Sequence, residues 1–362
     1  MLEAPVIALD VMGGDGGAKQ MIEGAAIARA RYPKLRFRLF GDHAAMATEL
    51  ASEPALEAVS ELVHTTGVVL ATDKPSHALR RGRNSSMGLA IAAVKAGDAD
   101  VAVSAGNTGA LMAMAKLTLR TQDGIDRPAL AALLPTGRAD SVVLDLGANV
   151  ECSAENLVQF AVMGAALARI ALGIANPKVA LLNIGEEDVK GTEELREAAA
   201  ILRAADLPMR FEGFIEGDKL VRGDVDVIVS DGFTGNVALK TAEGTARLVV
   251  ELLGQAFRSS WMSKLGFLLA RPALRSLRQH VDPNNHNGAV FLGLNGLVVK
   301  SHGGATPKGV ANAIGVAHDL AVDGIGAKIA RDLSAIRARA AAAVVAALPL
   351  PASVPMTSAD AA

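Results

Sequence analysis

Two hydrophobic periods take turns along this chain. Short apolar runs rich in β-branched residues, "VIALD" (Val6 to Asp10), "LRFRLFGD" and "DVAVSAGN", read as strands. Each passes into an Ala-rich stretch with apolar residues three and four apart: around Met21 to Arg31, from His43 onward, and Ala110 to Leu119. The same order returns at "SVVLDLGAN", "KVALLNIGEE", "VDVIVSDGF" and "LVVKSHGG". Such alternation predicts a mostly parallel sheet with helices on both faces and ligands beyond the carboxyl ends of its strands. The stretch "ALAALLPTGRADSVVLDLGA" departs from it, because two apolar runs flank a turn around Gly137 to Asp140 too short for a helix. It predicts an antiparallel hairpin and therefore a mixed sheet.

No Pro- or Ser-rich linker divides the chain, so residues 1–340 are read as a single α/β unit, with an inserted amphipathic helical segment at about 252–281. Residues 341–362 read as a disordered tail, since the charge-free stretch is interrupted by Pro349, Pro351 and Pro355. At 362 residues, 51% of them hydrophobic, the chain can bury a large core. A 3% aromatic share and a net charge of -2 argue against a nucleic-acid partner. A single cysteine and the lack of a leader-like apolar opening point to the cytoplasm.

Candidate chemistry lies at the predicted strand ends. "SAGNTGALMA" (Ser104 to Ala113) and "SDGFTGNVALK" (Ser230 to Lys240) both place a Gly-x-Thr-Gly turn between a strand and a helix. "DVMGGDGGA" and "SHGGATPKG" are two further glycine-rich turns. Glycine lets backbone approach a ligand, and a helix start offers unpaired N–H groups, so the four turns are expected to converge on an oxyanion. Asp15, Asn107, Thr108, Asp231, Thr234, Asn236 and His302 are the polar residues in or beside them. His302 could equally be a proton donor or a satisfied structural histidine. Neither G-x-x-x-x-G-K-[ST] nor G-x-G-x-x-G is present, which points to a small phosphate or a thioester carbonyl rather than a dinucleotide.

Two sets of cations could serve such an anion. Lys190 in "NIGEEDVKGTEE" lies beyond a strand, just before Thr192, which can cap a helix starting near Glu193; it could also be a solvated loop charge. Arg80, Arg81 and Arg83 in "DKPSHALRRGRNSSMG" could grip a phosphate or the acidic surface of a carrier protein, or form an exposed basic loop. The histidines lack metal-ligand spacing, so no metal and no cofactor is expected. Cys152 reads as packing more readily than as a nucleophile, and no G-x-S-x-G elbow occurs.

Residues 252–281 contain no acid, five cations, and Phe257, Trp261, Leu265, Leu268 and Leu269 at helical spacing. A basic amphipathic helix with the chain's only Trp fits a membrane interface rich in anionic lipid, with Trp261, Leu265 and Leu268 entering it; a core helix or dimer interface is the plainer reading. Pro272 is expected to break the segment in two.

Taken in order, "IALDVMGGDGG", "SAGNTGALMA", "LDLGANVEC", "LNIGEEDVKGTE", "VSDGFTGNVALKTAEG" and "LVVKSHGGA" resemble the acyl-carrier-protein:phosphate acyltransferase family, PlsX, from Ile7 to about Leu320. The resemblance implies conversion of a fatty acyl thioester on acyl carrier protein, with inorganic phosphate, to acyl phosphate and free carrier at the start of phospholipid synthesis. It implies a three-layer αβα fold similar to phosphate acetyltransferases and isocitrate-type dehydrogenases, usually a homodimer, with Lys190 and Asn236 at motif positions of the active site. Peripheral attachment to the inner face of the cell membrane follows as an expectation, next to a membrane-bound glycerol-3-phosphate acyltransferase that would use the product. The alternative is a phosphate acetyl- or butyryltransferase acting on acyl-CoA.

Overall fold

The computed structural model describes residues 4–332 and 334. The expected tail at 341–362 and the last residues of the 1–340 unit lie outside the described residues. Among the described residues, eleven strands form one sheet: β1 (Val6–Asp10), β2 (Arg36–Gly41), β3 (Ser60–His64), β4 (Val101–Ser104), β5 (Ala129–Leu134), β6 (Ser141–Leu144), β7 (Lys178–Leu182), β8 (Arg210–Ile215), β9 (Val227–Val229), β10 (Ala289–Leu292) and β11 (Leu297–Lys300). Their order is β3-β2-β1-β4-β11-β10-β5-β6-β9-β7-β8.

Alternate residues of each strand serve opposite layers. Ile7 and Leu9 face a core shared with α1 (Gly17–Arg31), α2 (His43–Leu50), α3 (Pro54–Glu57), α7 (Ala154–Ala171), α8 (Glu193–Ala204) and α11 (Pro307–Asp323). Ala8 faces the other core, built with α4 (Pro75–Arg81), α5 (Ser86–Ala96), α6 (Thr108–Leu119) and the start of α9 (Gly232–Arg258). The result is the expected three-layer αβα arrangement.

Strand direction is where the structure departs from the simple parallel picture. β3, β2, β1, β4 and β11 are parallel, as are β6, β9, β7 and β8. Between the two sets, β10 pairs antiparallel with both β11 and β5, and β5 pairs antiparallel with β6. Three reversals in succession leave the two parallel halves pointing opposite ways. The β5–β6 hairpin is the one read from sequence; β10 supplies the other reversals.

The halves are staggered, however, so that their carboxyl ends meet: Leu9, Val103 and Val299 at the ends of β1, β4 and β11 share a row, through Val290 and Ala131, with Leu144, Val229 and Leu181 at the ends of β6, β9 and β7. Thr108, Asn236 and His302, in or beside three of the four glycine turns, line one cavity, and Gly14 and Asp15 of the fourth line a second cavity that shares Thr108 with it.

The helical segment also differs from expectation. α9 is continuous through residue 252, and α10 (Trp261–Val281) contains Pro272 without ending there. The break falls at Ser259 and Ser260, where the Ser260 hydroxyl accepts from the Ser263 amide at 3.0 Å and starts the new helix.

The root of α9 is fixed by close backbone approach. A Cβ on Gly235 would stand 2.0 Å from the Asp145 carbonyl oxygen, and one on Gly232 would stand 2.5 Å from that of Asn149. Gly235→Ala is therefore expected to push the helix start outward and cost about 1–3 kcal/mol in urea unfolding.

Candidate active site

At the carboxyl edge of β1, β4 and β11, three turns lock together. Asp10, Ser104 and Lys300 stand in register on adjacent strands. The Ser104 hydroxyl donates to Asp10 Oδ2 at 2.6 Å, and the Gly106 amide donates to the Ser104 oxygen at 3.0 Å. A Cβ on Gly13 would meet the Gly106 nitrogen at 2.9 Å, while Gly14, at φ +86°, lies against Ala105 and Gly303. The Asp15 amide donates to the Gly303 carbonyl at 2.9 Å. Glycine is required here because three backbones share the space of one side chain.

Charge at this edge is buried. Asp10 is inaccessible and its Oδ1 has no hydrogen-bond partner, so burial pushes its carboxyl above the usual range, against the pull of the Ser104 hydroxyl. Lys300 is only 8% exposed, and burial pulls its ammonium down to about 8, with the Asp10 carboxylate opposing the shift. Its Nζ donates to the carbonyl oxygens of Ala105, at 3.3 Å, and Ser301. His302, held below the ordinary imidazole range by burial and by Lys240, accepts from the Gly304 amide on Nδ1 at 3.1 Å, which leaves Nε2–H as the donor of the neutral ring.

Lys300 and Thr108 line two cavities at once. One, of about 460 Å³, is walled by Gly14, Asp15, Gly106, Asn107 and Gly303 together with Val68 to Ala71. The other, of about 530 Å³, lies between α9 and the sheet. Its polar residues include Asn236, Lys240, Ser301 and His302, and its apolar wall is formed by Leu130, Ala132, Leu134, Leu146, Leu239 and Ala246.

Of the residues singled out in the sequence, Asp15, Asn107 and Thr108 line the first cavity; Thr108, Asn236 and His302 line the second. Asn107 is largely committed elsewhere. Its Oδ1 caps α6 through the Ala110 amide at 3.0 Å, and its Nδ2 donates to the carbonyls of Ala71 and Asp73. Asp231 and Thr234 are spent on each other, since Asp231 accepts from the Thr234 amide at 2.8 Å and its hydroxyl at 2.7 Å as the cap of α9.

Asn236 donates from Nδ2 to the Leu146 carbonyl at 3.0 Å. That carbonyl belongs to a loop organised by buried Asp145, which accepts from the amides of Leu130, Ala148 and Asn149. Lys190 is exposed on the β7–α8 loop, where its carbonyl accepts from Asn183 Nδ2 at 3.2 Å, and it lines none of these cavities. β7 and β9 are neighbours, so Lys190 and Asn236 follow adjacent strands at one edge.

Arg80 lines a shallow surface hollow with Lys74 and His77, and Arg81 and Arg83 are exposed nearby. Burial, aided by the carboxylates of Asp145 and Asp231, pushes the Cys152 thiol up to about 12, so it is no ready nucleophile. Trp261, Leu265 and Leu268 are 74%, 52% and 63% exposed. Sequence reasoning missed Lys300 and the buried Asp10. "LVVKSHGG" carried the signal, a lysine ending an apolar strand just before a glycine turn.

Known proteins bear on this arrangement in two ways. In solved structures, the chain overlays on EutD phosphotransacetylase from Staphylococcus aureus with a TM-score of 0.57 at 18% identity, covering 91% of this chain and 94% of that one. A branched-chain phosphotransacylase from Enterococcus faecalis gives 0.56 at 12% identity, over 88% and 99% of the two chains. These likenesses concern the fold. In sequence, the chain is 57% identical over 340 residues to phosphate acyltransferase of Erythrobacter litoralis, covering 93% of this chain and 96% of that one. It is 58% identical to the phosphate acyltransferase of Parvibaculum lavamentivorans, over 92% of each. The family model described as fatty acid synthesis protein matches residues 6–328. The chain therefore belongs to the fatty acid synthesis protein family and, with these relatives, to its phosphate acyltransferases.

Proposed function

We propose that the protein transfers the acyl group of fatty acyl-[acyl carrier protein] to inorganic phosphate, giving acyl phosphate and free carrier. The observation that carries this reading is Lys300, a buried cation at the junction of a glycine-walled polar cavity and a larger apolar one. Phosphate, bound by backbone N–H groups of the three turns and the Lys300 ammonium, attacks the thioester carbonyl. The tetrahedral oxyanion collapses with loss of the carrier thiolate, a leaving group needing little acid help. The protein supplies position and charge stabilisation. His302 Nε2–H and Thr108 are the donors placed to meet the oxyanion.

A second location is favoured by one observation: the loops bearing Lys190 and Asn236 follow neighbouring strands, and Asn236 lines the apolar cavity. There Lys190 would balance phosphate charge and Asn236 would polarise the carbonyl. Arg80, Arg81 and Arg83, exposed beside the loop that walls the polar cavity, suit the acidic surface of a carrier protein.

No helix among the described residues is long and apolar enough to cross a membrane. The exposed apolar face of α10 supports peripheral attachment to an anionic lipid surface on the cytoplasmic side, close to a membrane-bound glycerol-3-phosphate acyltransferase. Exposed Leu248, Val249 and Leu252 on α9 support a homodimer.

Formation of hydroxylamine-sensitive acyl phosphate from acyl carrier thioester and phosphate tests the activity, and the same assay with acyl-CoA tests the alternative donor. Lys300→Met is expected to lower kcat/KM for phosphate by roughly a hundredfold or more. Lys190→Ala and Asn236→Ala exceed that loss only if the reaction centre sits at the ends of β7 and β9.

Because Lys300 is charged below about pH 8 and neutral above it, kcat/KM for phosphate should fall as pH rises through about 8. Lys300→Met should remove that limb from the pH profile. Binding of vesicles containing anionic lipid should weaken on co-sedimentation when Leu265 and Leu268 are replaced by Glu.

A further inference from the structure

The larger cavity is a wedge with a direction. α9 is anchored at its start by Gly232 and Gly235 and then runs over the sheet, lining the cavity with Asn236, Leu239, Ala242 and Ala246. These residues recur at three- and four-residue spacing, so they form one continuous face of the helix. From Asn236 to Ala246 that face spans about 15 Å at 1.5 Å per residue. Opposite it, Leu130, Ala132 and Leu134 are the β5 residues whose side chains point to this layer. The Leu239, Ala242 and Ala246 stripe and the β5 side chains are apolar, Lys240 and Glu243 beside the stripe are paired with each other at 2.9 Å, and the alanines leave the width that larger side chains would fill.

The wedge has an end wall. Pro135, Thr136 and Gly137 at the tip of the β5–β6 hairpin line it together with Val221. The hairpin is tied to the opposite loop by the Gly137 amide, which donates to the Val221 carbonyl at 2.9 Å. It is braced there by Arg138, which pairs with Asp224 at 2.7 Å. An extended hydrocarbon advances about 1.25 Å per C–C bond, so about 15 Å accommodates a chain of roughly a dozen carbons before it meets this wall.

Resting on the acyltransferase reading, we propose that the wedge between α9 and β5 holds the acyl chain, with its methyl end against Pro135, Gly137 and Val221. Ala246 and Val221 then set the longest chain accepted. The assignment holds whether the reacting carbonyl lies at Lys300 or at Asn236, because both line the same cavity as Pro135, Gly137 and Val221. An acyl group needs no hydrogen-bond partner along its length; the β5 wall offers none from its side chains, and on α9 Lys240 and Glu243 satisfy each other.

The test is a chain-length profile. The wild type, Ala246→Trp, Val221→Trp and Val221→Gly are assayed with acyl carrier thioesters from eight to eighteen carbons at saturating phosphate, with acyl phosphate trapped by hydroxylamine. Both Trp variants should lower the ratio of kcat/KM for the sixteen-carbon over the eight-carbon donor at least about tenfold, the scale on which a hydrophobic pocket discriminates by size. Val221→Gly should raise the same ratio.

Ratios equal to the wild type's in all three variants, each unfolding at the wild-type temperature, overturn the placement of the chain. If either Trp variant fails to fold, the Val221→Gly profile decides alone. A wild type that makes no phosphate-dependent acyl phosphate from any donor overturns the acyltransferase reading instead, so the two failures are distinguishable.

Discussion

β10 and β5 run against their neighbours, and that reversal of backbone polarity in the middle of the sheet governs where everything else can lie. In a sheet of uniform direction all strand ends with helix starts share one edge. Here β1, β4 and β11 run against β6, β7 and β9, and the stagger across β10 and β5 brings the carboxyl ends of the two sets onto one row. The glycine turns of one half and the root of α9 from the other consequently face one cavity. The space between them is spanned by the face of β10 and β5, over which α9 forms a roof.

Electrostatics at the three-turn edge reflects a conflict between stability and chemistry. Burying the Lys300 ammonium disfavours its charged form, and Asp10 alone does not reverse this. Below pH 8 the folded and unfolded states both hold the Lys300 proton, so the folded state carries the full cost of the buried charge. Between about 8 and its ordinary value the unfolded chain binds more protons, and stability rises with pH. An anion that binds only the folded state offsets the cost at neutral pH.

Much of the architecture was legible because period and cap chemistry agreed. "VIALD" and "DVAVSAGN" became β1 and β4, and Thr192 caps α8 through the Leu195 amide as its position suggested. β3, with "SELVH" half exposed at the sheet edge, lacks a clear apolar face, and β10, "AVFL", is too short to be told from a loop. Missing β10 hid the reversal, and with it the fact that Ser230 to Gly235 meets the other turns from an oppositely directed half of the sheet. Pro272 misled for a local reason: α10 contains it without breaking, while two serines upstream supply both a stop and a cap. Lys300 was overlooked because a lysine ending a strand reads as a solvated charge. Its burial depends on β4 and the turn at Ala105, nearly two hundred residues away in sequence.

The wide spacing of these turns along the sequence has a bearing on synthesis. The interlocked corners come from residues 10–15, 104–107 and 301–304, so a nascent chain emerging from the ribosome cannot close them together until nearly all of it has been made. Contacts of such long range form late, after the loops between them have closed. Any truncated product ending before Lys300 lacks that lysine and the third corner altogether, however well its first βα units have folded.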